Sequence, residues 1–302
     1  MGGSFSWFAA RRLFALALTV VLAPTVVWTV FNGLSGTGGQ SLPSVAGDYV
    51  VRTYWHLDLG RSSAYSDSTI ADVMIGALPA DLGLVLGGVA VGVLLGMAGG
   101  LVVALRPGTL RARALELMTA VVLSAPPYWM AFLVLIWFAP GTGYVLEVPF
   151  VSALMDYPDE GADLARYAKA LWMPAVLVGL PLAAAVLRIT SSTLREISGE
   201  DFLRTARAKG LGELRVMRRH ALPLAVAPVA ALTGANMAML VTNVALVESA
   251  FNIPGIYREI RSVYSFADLP MIQGMVIETT VLIVVANTLA DLIQARMDPR
   301  LR

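Results

Sequence analysis

The chain has 302 residues, of which 57% are hydrophobic and only 14% charged, with a formal net charge of +1 and a mean hydropathy of +0.71. Soluble domains carry roughly 25% charged residues, so this is the composition of an integral membrane protein, and the near-neutral balance offers nothing to a nucleic acid. Cysteine is absent, which excludes disulfides, iron–sulfur clusters and thiol chemistry.

Six apolar runs are long enough for a hydrocarbon core that takes roughly 20 residues per helix. They lie near 8–31, 80–105, 114–139, 171–190, 222–248 and 272–294. The expected fold is therefore all-α, with six transmembrane helices. The first run follows Arg11-Arg12 but exceeds the apolar length of a signal peptide, and no small-x-small cleavage site follows before Asn32, so it reads as an anchor helix. Residues 32–79 then form an external segment, glycine- and serine-rich from Gly33 to Ser44, with an amphipathic piece from Tyr49 to Leu59 expected on the membrane surface. This divides the chain into an N-terminal part, 1–79, and a five-helix core, 80–302.

Along the second run, Gly88, Gly92, Gly96 and Gly100 recur every four residues beside Gly83, Gly87 and Gly99, a ridge on which another helix approaches closely. In the third, Pro126-Pro127 removes two backbone donors and predicts a kink. The 140–170 loop carries Asp156, Asp159, Glu160 and Asp163 and reads as solvated.

Between the fourth and fifth runs stands a polar stretch, Glu200-Asp-Phe-Leu-Arg-Thr-Ala-Arg-Ala-Lys-Gly210, followed by Leu211 and, later, Leu222-Pro223. It reads as two short helices joined by a sharp turn, with Gly210 supplying the positive φ. In the fifth run, Asn236 and Asn243 fall on nearly one face of a continuous helix with Thr233 and Leu240. They either line a polar path or bond between helices. Glu248 ends that run and Glu278 lies about two turns into the sixth. Each is a candidate to meet a substrate amine or close an external gate, and Glu248 equally to brace the adjacent loop.

An even number of spans puts both termini on one side. Sixteen Lys and Arg residues fall on that side, among them Arg11, Arg12, Arg111, Arg113, Arg204, Lys209, Arg218, Arg219 and Arg302, against six opposite: Arg52, Arg61, Arg166, Lys169, Arg258 and Arg261. The positive-inside rule makes both termini cytoplasmic. The only lysines, Lys169 and Lys209, precede alanine and glycine, so there is no P-loop to bind and hydrolyse ATP. The two histidines, His56 and His220, lie outside the runs, and no metal ligand set or hydrolase motif occurs. Nothing in the composition supplies a catalytic constellation.

The spacing Ala206…Gly210…Leu222-Pro223 resembles the coupling loop of ABC importer permeases, written E-A-A-x3-G-x9-I-x-L-P, with Arg204, Thr205 and His220 as the departures. His56-Leu-Asp-Leu-Gly-Arg-Ser62, Ala77-Leu-Pro79, Ser124-Ala-Pro-Pro-Tyr-Trp129, Val247-Glu-Ser-Ala-Phe-Asn-Ile-Pro-Gly255, Asp268-Leu-Pro-Met-Ile-Gln-Gly274 and Asp298-Pro-Arg-Leu-Arg302 resemble, in order, segments of dipeptide/oligopeptide-type permeases. Asn32 to Gly39 stands where that family has P-G-D-P.

The resemblance implies a type I ABC importer permease fold in the inner membrane of a prokaryote. Its partners would be a second permease subunit, two ATPase subunits that hold ATP and Mg, a substrate-binding protein and membrane lipid. Peptides are the implied cargo; nickel chelates, glutathione or another small solute are the alternatives. An ion-coupled secondary transporter is disfavoured because the span centres carry no charged relay. Loop 195–220 is the implied coupling segment, with Glu200, Asp201, Arg204, Thr205, Ala206, Lys209, Gly210 and Leu211 at the ATPase and Ala206 allowing close approach.

The charge asymmetry sets a direct test. A cysteine placed at Gly161 should react with an impermeant thiol reagent applied to intact cells, and one at Gly212 should not; labelling at 212 overturns the orientation.

Overall fold

A computed structural model of the protein describes residues 2–35, 41–62, 68–138, 164–259 and 268–297. The helices are α1 (Gly2–Ser35), α2 (Leu42–Val50), α3 (Ile70–Leu105), α4 (Leu110–Ser124), α5 (Pro127–Phe138), α6 (Leu164–Ile197), α7 (Asp201–Ala208), α8 (Glu213–Val216), α9 (Leu222–Ala235), α10 (Met237–Phe251) and α11 (Leu269–Met297). Among the described residues the only strand-like pairing is a single bridge between Arg61 and Thr69. The acidic segment 139–163 lies outside the described residues, as does the C-terminal Asp298-Pro-Arg-Leu-Arg302 stretch.

Four helices are long and apolar enough to cross a membrane unbroken, within Leu13–Gly33, Ile70–Leu105, Ala168–Ile197 and Leu269–Ile293, and two bent pairs bring the number to six. The third run bends by 105° between α4 and α5, where Pro126 and Pro127 withhold N–H groups from the carbonyls one turn earlier. The fifth run is not the continuous helix its hydropathy predicts: α9 and α10 meet at 56°. Asn236, at φ −95° and ψ 2°, separates them; its backbone N–H is shared between the Leu232 and Thr233 carbonyls and its side-chain Nδ2 donates to Leu232 O at 2.8 Å. An asparagine that bonds its own backbone in this way competes with regular helix. Thr233 and Asn243 therefore lie on two different helix axes, and the shared face expected from their spacing is not formed.

The centre of the fold is α3 against α6. A Cβ at Gly88, Gly92, Gly96 or Gly100 would meet Val178, Leu182, Val186 or Thr190 at 2.6–2.7 Å, so each glycine receives a side chain four residues on from the last. The contact sits backbone to backbone: at Gly96 the added atom would also stand 2.7 Å from the Ala183 carbonyl oxygen. Gly83 faces Leu171 and Gly100 faces Thr190, so the register ascends in both helices and they run parallel. Two parallel helices with one bent crossing between them fit an odd number of membrane passages from α3 to α6.

The N-terminal segment folds back rather than lying free on a surface. Gly33 meets Leu42, the Trp28 and Tyr49 rings stack at 5.4 Å, and Tyr54 Oη donates to Val20 O at 2.8 Å, so α2 and the π-turn after it (Val51–Trp55) run antiparallel along α1. The next helix starts at Ile70 rather than near 80, because Thr69 and Asp72 form a capping box there; it continues through Pro79 to Leu105.

Filling the ridge should be costly. Gly96→Ala is expected to destabilise the detergent-solubilised protein by about 1–3 kcal/mol through overpacking, whereas Gly47→Ala, with nothing within 4 Å of the new methyl, should leave thermal unfolding unchanged or slightly raised.

Candidate functional site: a helical elbow at one end, a carboxyl cluster at the other

The polar stretch after α6 folds as read, into α7 and α8 about a turn in which Gly210 has φ +80°. Its N–H reaches Arg207 O at 2.9 Å, and no atom lies within 4 Å of where its Cβ would be. The constraint at Gly210 is thus backbone conformation alone. Glu200 precedes α7 in extended conformation, its carbonyl accepting from Leu203 and Arg204. Thr205 Oγ1 donates to Asp201 O at 2.9 Å, and Arg204 approaches Asp201 at 3.5 Å with both side chains largely in solvent, a pair worth at most a few tenths of a kcal/mol.

Ala206 does not face outward. With Leu203 it is buried against Leu194, Val216, Met217 and Ala221, and Leu211 packs on the same cluster. Its small size fits it to the chain's own packing. The face left free carries Asp201, Phe202, Arg204, Thr205 and Lys209. Phe202 and Leu214 are exposed large apolar side chains that the polar look of the sequence concealed; the signal was an aromatic residue one position before the first buried leucine of an amphipathic turn.

Arg207 is likewise committed internally. Its Nε and Nη2 donate to the two carboxylate oxygens of Glu213 at 2.9 and 2.8 Å, and its Nη1 donates to Ser198 O at 2.9 Å. One guanidinium thereby joins the end of α6, α7 and α8.

At the opposite end of the bundle, Glu248 and Glu278 come together as the sequence could not show, and they do so around Asp81 of α3. All three are buried. Asp81 Oδ2 accepts from Ile256 N–H at 3.2 Å and Glu248 Oε1 accepts from Arg258 N–H at 2.6 Å, so both carboxyls brace the 252–258 loop. Asp81 lies beside both glutamates. Among the described residues, the remaining oxygens, Asp81 Oδ1, Glu248 Oε2 and both of Glu278, have no hydrogen-bond partner. The loop closes over them because residue 255 is glycine, where a Cβ would collide with Asp81 Oδ1 and stand 2.5 Å from Glu248 Cδ. Tyr257 Oη bonds Thr279 Oγ1 beside them.

Sequence reasoning missed Asp81, a lone acid near the presumed start of an apolar run that passes for an interfacial charge. Of the two asparagines, Asn243 is buried and Asn236 sits at the α9–α10 break. The motifs around Ser62 and Asp268 also converge: Ser62 Oγ donates to Asp268 Oδ2, Ile70 N–H to Gly60 O, and Asp268 Oδ1 accepts from Met271 N–H at the start of α11.

The family described as "Binding-protein-dependent transport system inner membrane component" matches residues 88–302. Among curated proteins, the chain is 31% identical over 191 residues to the "Dipeptide transport system permease protein DppB" of Haemophilus influenzae, covering 59% of this chain and 57% of that one. It is 30% identical over 210 residues to the "Probable peptide ABC transporter permease protein y4tP" of Sinorhizobium fredii, covering 70% and 65%. To the Escherichia coli protein named DppB it is 37% identical over 130 residues, covering 43% and 38%. The chain thus spans less than two thirds of the length of each of these three relatives.

Asp81→Ala should strand the buried Ile256 N–H at a cost of about 1–3 kcal/mol. Asp81→Asn, which keeps an acceptor for that N–H and supplies a donor to the glutamates, should hold wild-type thermal stability in detergent. Equal loss in both variants would show that Asp81 does not brace the loop.

Proposed function

The chain belongs to the family of binding-protein-dependent transport system inner membrane components, and from that premise we propose that it is one permease subunit of an ATP-driven importer, carrying peptides through the inner membrane of a prokaryote. The names of the relatives support peptides as the cargo. The chain contributes no ATPase site of its own: hydrolysis belongs to two partner subunits that hold ATP and Mg, and an extracytoplasmic binding protein delivers the peptide. A second permease subunit completes the path, and both termini face the cytoplasm.

The observation that carries this reading is the elbow of α7, Gly210 and α8. It stands in a polar stretch between two membrane-crossing elements, its inner face packed on the end of α6 and the start of α9, with an outer face exposed among the described residues. A push on α7 reaches α6 through Leu194 and Leu203, and α9 through Met217 and Ala221. The α9–α10 bend at Asn236 and the α4–α5 bend at Pro126-Pro127 are where such a displacement changes the shape of the path, since broken helices in membranes accompany cavities. Asn243, Glu248 and Glu278 are the polar groups on the α10–α11 side of that path; Glu248 and Glu278, enclosed with Asp81, act by holding the external ends of α3, α10 and α11 together.

Gly210→Val isolates the coupling step. The turn demands φ +80°, which a β-branched residue adopts at a cost of about 1–3 kcal/mol, and no steric clash is added. Insertion should survive, while transport and the stimulation of ATP hydrolysis by loaded binding protein fall together in the reconstituted complex. Wild-type values for both would refute the coupling role.

A further inference from the structure

Resting on the coupling role proposed above, we infer that Arg207 and Glu213 are positioning residues that make the elbow stiff enough to pass on a push received at α7. The backbone of the turn cannot do this. Apart from the local turn bond from its N–H to Arg207 O, nothing packs within 4 Å of where a Cβ at Gly210 would stand, and glycine moves between backbone wells more freely than any other residue. The apolar contact cannot do it alone either. Leu203 and Ala206, one turn apart on α7, touch Leu194, Val216, Met217 and Ala221 along a single stripe, and a contact along one stripe leaves rocking about that stripe open.

Arg207 projects beside the stripe and closes off that rotation. Its two bonds to Glu213 at 2.9 and 2.8 Å form a fork between α7 and α8, and its third, to Ser198 O at 2.9 Å, ties the fork to the end of α6. The planar guanidinium fixes both distance and angle, which a lysine ammonium does not. The Arg207 side chain is 33% exposed and that of Glu213 50%, so the pair adds little to global stability. Its contribution is angular. Neither residue belongs to the outer face of α7.

The test uses the assembled importer, reconstituted in liposomes with its ATPase subunits and binding protein, and reads ATP hydrolysed per peptide transported. Glu213→Gln and Arg207→Lys should assemble at normal stoichiometry and keep basal hydrolysis, while the ratio of ATP to transported peptide rises about three- to tenfold. The exchanged pair, Arg207→Glu with Glu213→Arg, should bring the ratio back toward wild type, which loss of a partner contact or of simple fold stability would not. A wild-type ratio in Glu213→Gln beside a defective Gly210→Val overturns the brace and leaves the coupling role standing; a wild-type ratio in both removes the coupling role itself. Failure of Glu213→Gln to assemble, or a defect that the exchanged pair does not relieve, assigns Glu213 to a contact with the partner and equally overturns the brace.

Discussion

The approach of α3 to α6 is the constraint on which the rest depends. Four glycines at a four-residue spacing receive Val178, Leu182, Val186 and Thr190, and Gly179 in turn lies against the Gly88 carbonyl. In a bilayer there is no hydrophobic gain in moving a side chain from lipid to a neighbouring helix, so association rests on close packing. The ridge supplies that packing along most of both helices. It sets the position of Asp81 near one end of α3 and, through α6, the place where α7 leaves the bundle at the other.

Each end then uses a different physics. At the elbow, the groups are exposed and individually weak, and their effect comes from geometry: a positive-φ glycine, a stripe of buried contacts and one fork of hydrogen bonds. At the far end, the carboxyls of Asp81, Glu248 and Glu278 are buried, and backbone N–H donors from the 252–258 loop offset part of the cost for Asp81 and Glu248. Buried polar groups of this kind are expensive to leave unpaired, which favours one placement of the 252–258 loop on α3 and α10 over sliding alternatives. The two bends, at Pro126-Pro127 and Asn236, are where the helix axes change direction.

Legibility followed the range of the interaction. The apolar runs, the proline bend, the glycine ridge and the turn at Gly210 depend on residues within one helix turn or on a simple period, and all could be read from the chain. The family resemblance rested on motifs of which two are now seen to meet in space, His56 to Ser62 with Asp268 to Gly274, while Val247 to Gly255 closes over Asp81, which no motif contained. What could not be read was direction. Ala206 and Arg207 are adjacent in a polar stretch, yet one is spent on a buried cluster and the other on Glu213 and Ser198.

The sequence by itself determined that this is an all-helical membrane protein with up to six crossings and a glycine-hinged polar elbow, because bilayer thickness, helix period and the conformational preferences of glycine and proline act locally. Only the tertiary structure decided which acids would be neighbours and that Asn236 would break α9 from α10. It also decided which side chains of the elbow would remain available to a partner. Those outcomes turn on contacts between residues as far apart as Asp81 and Ile256, or on the balance between an asparagine's bond to its own backbone and the packing around it, and neither is written in any local pattern.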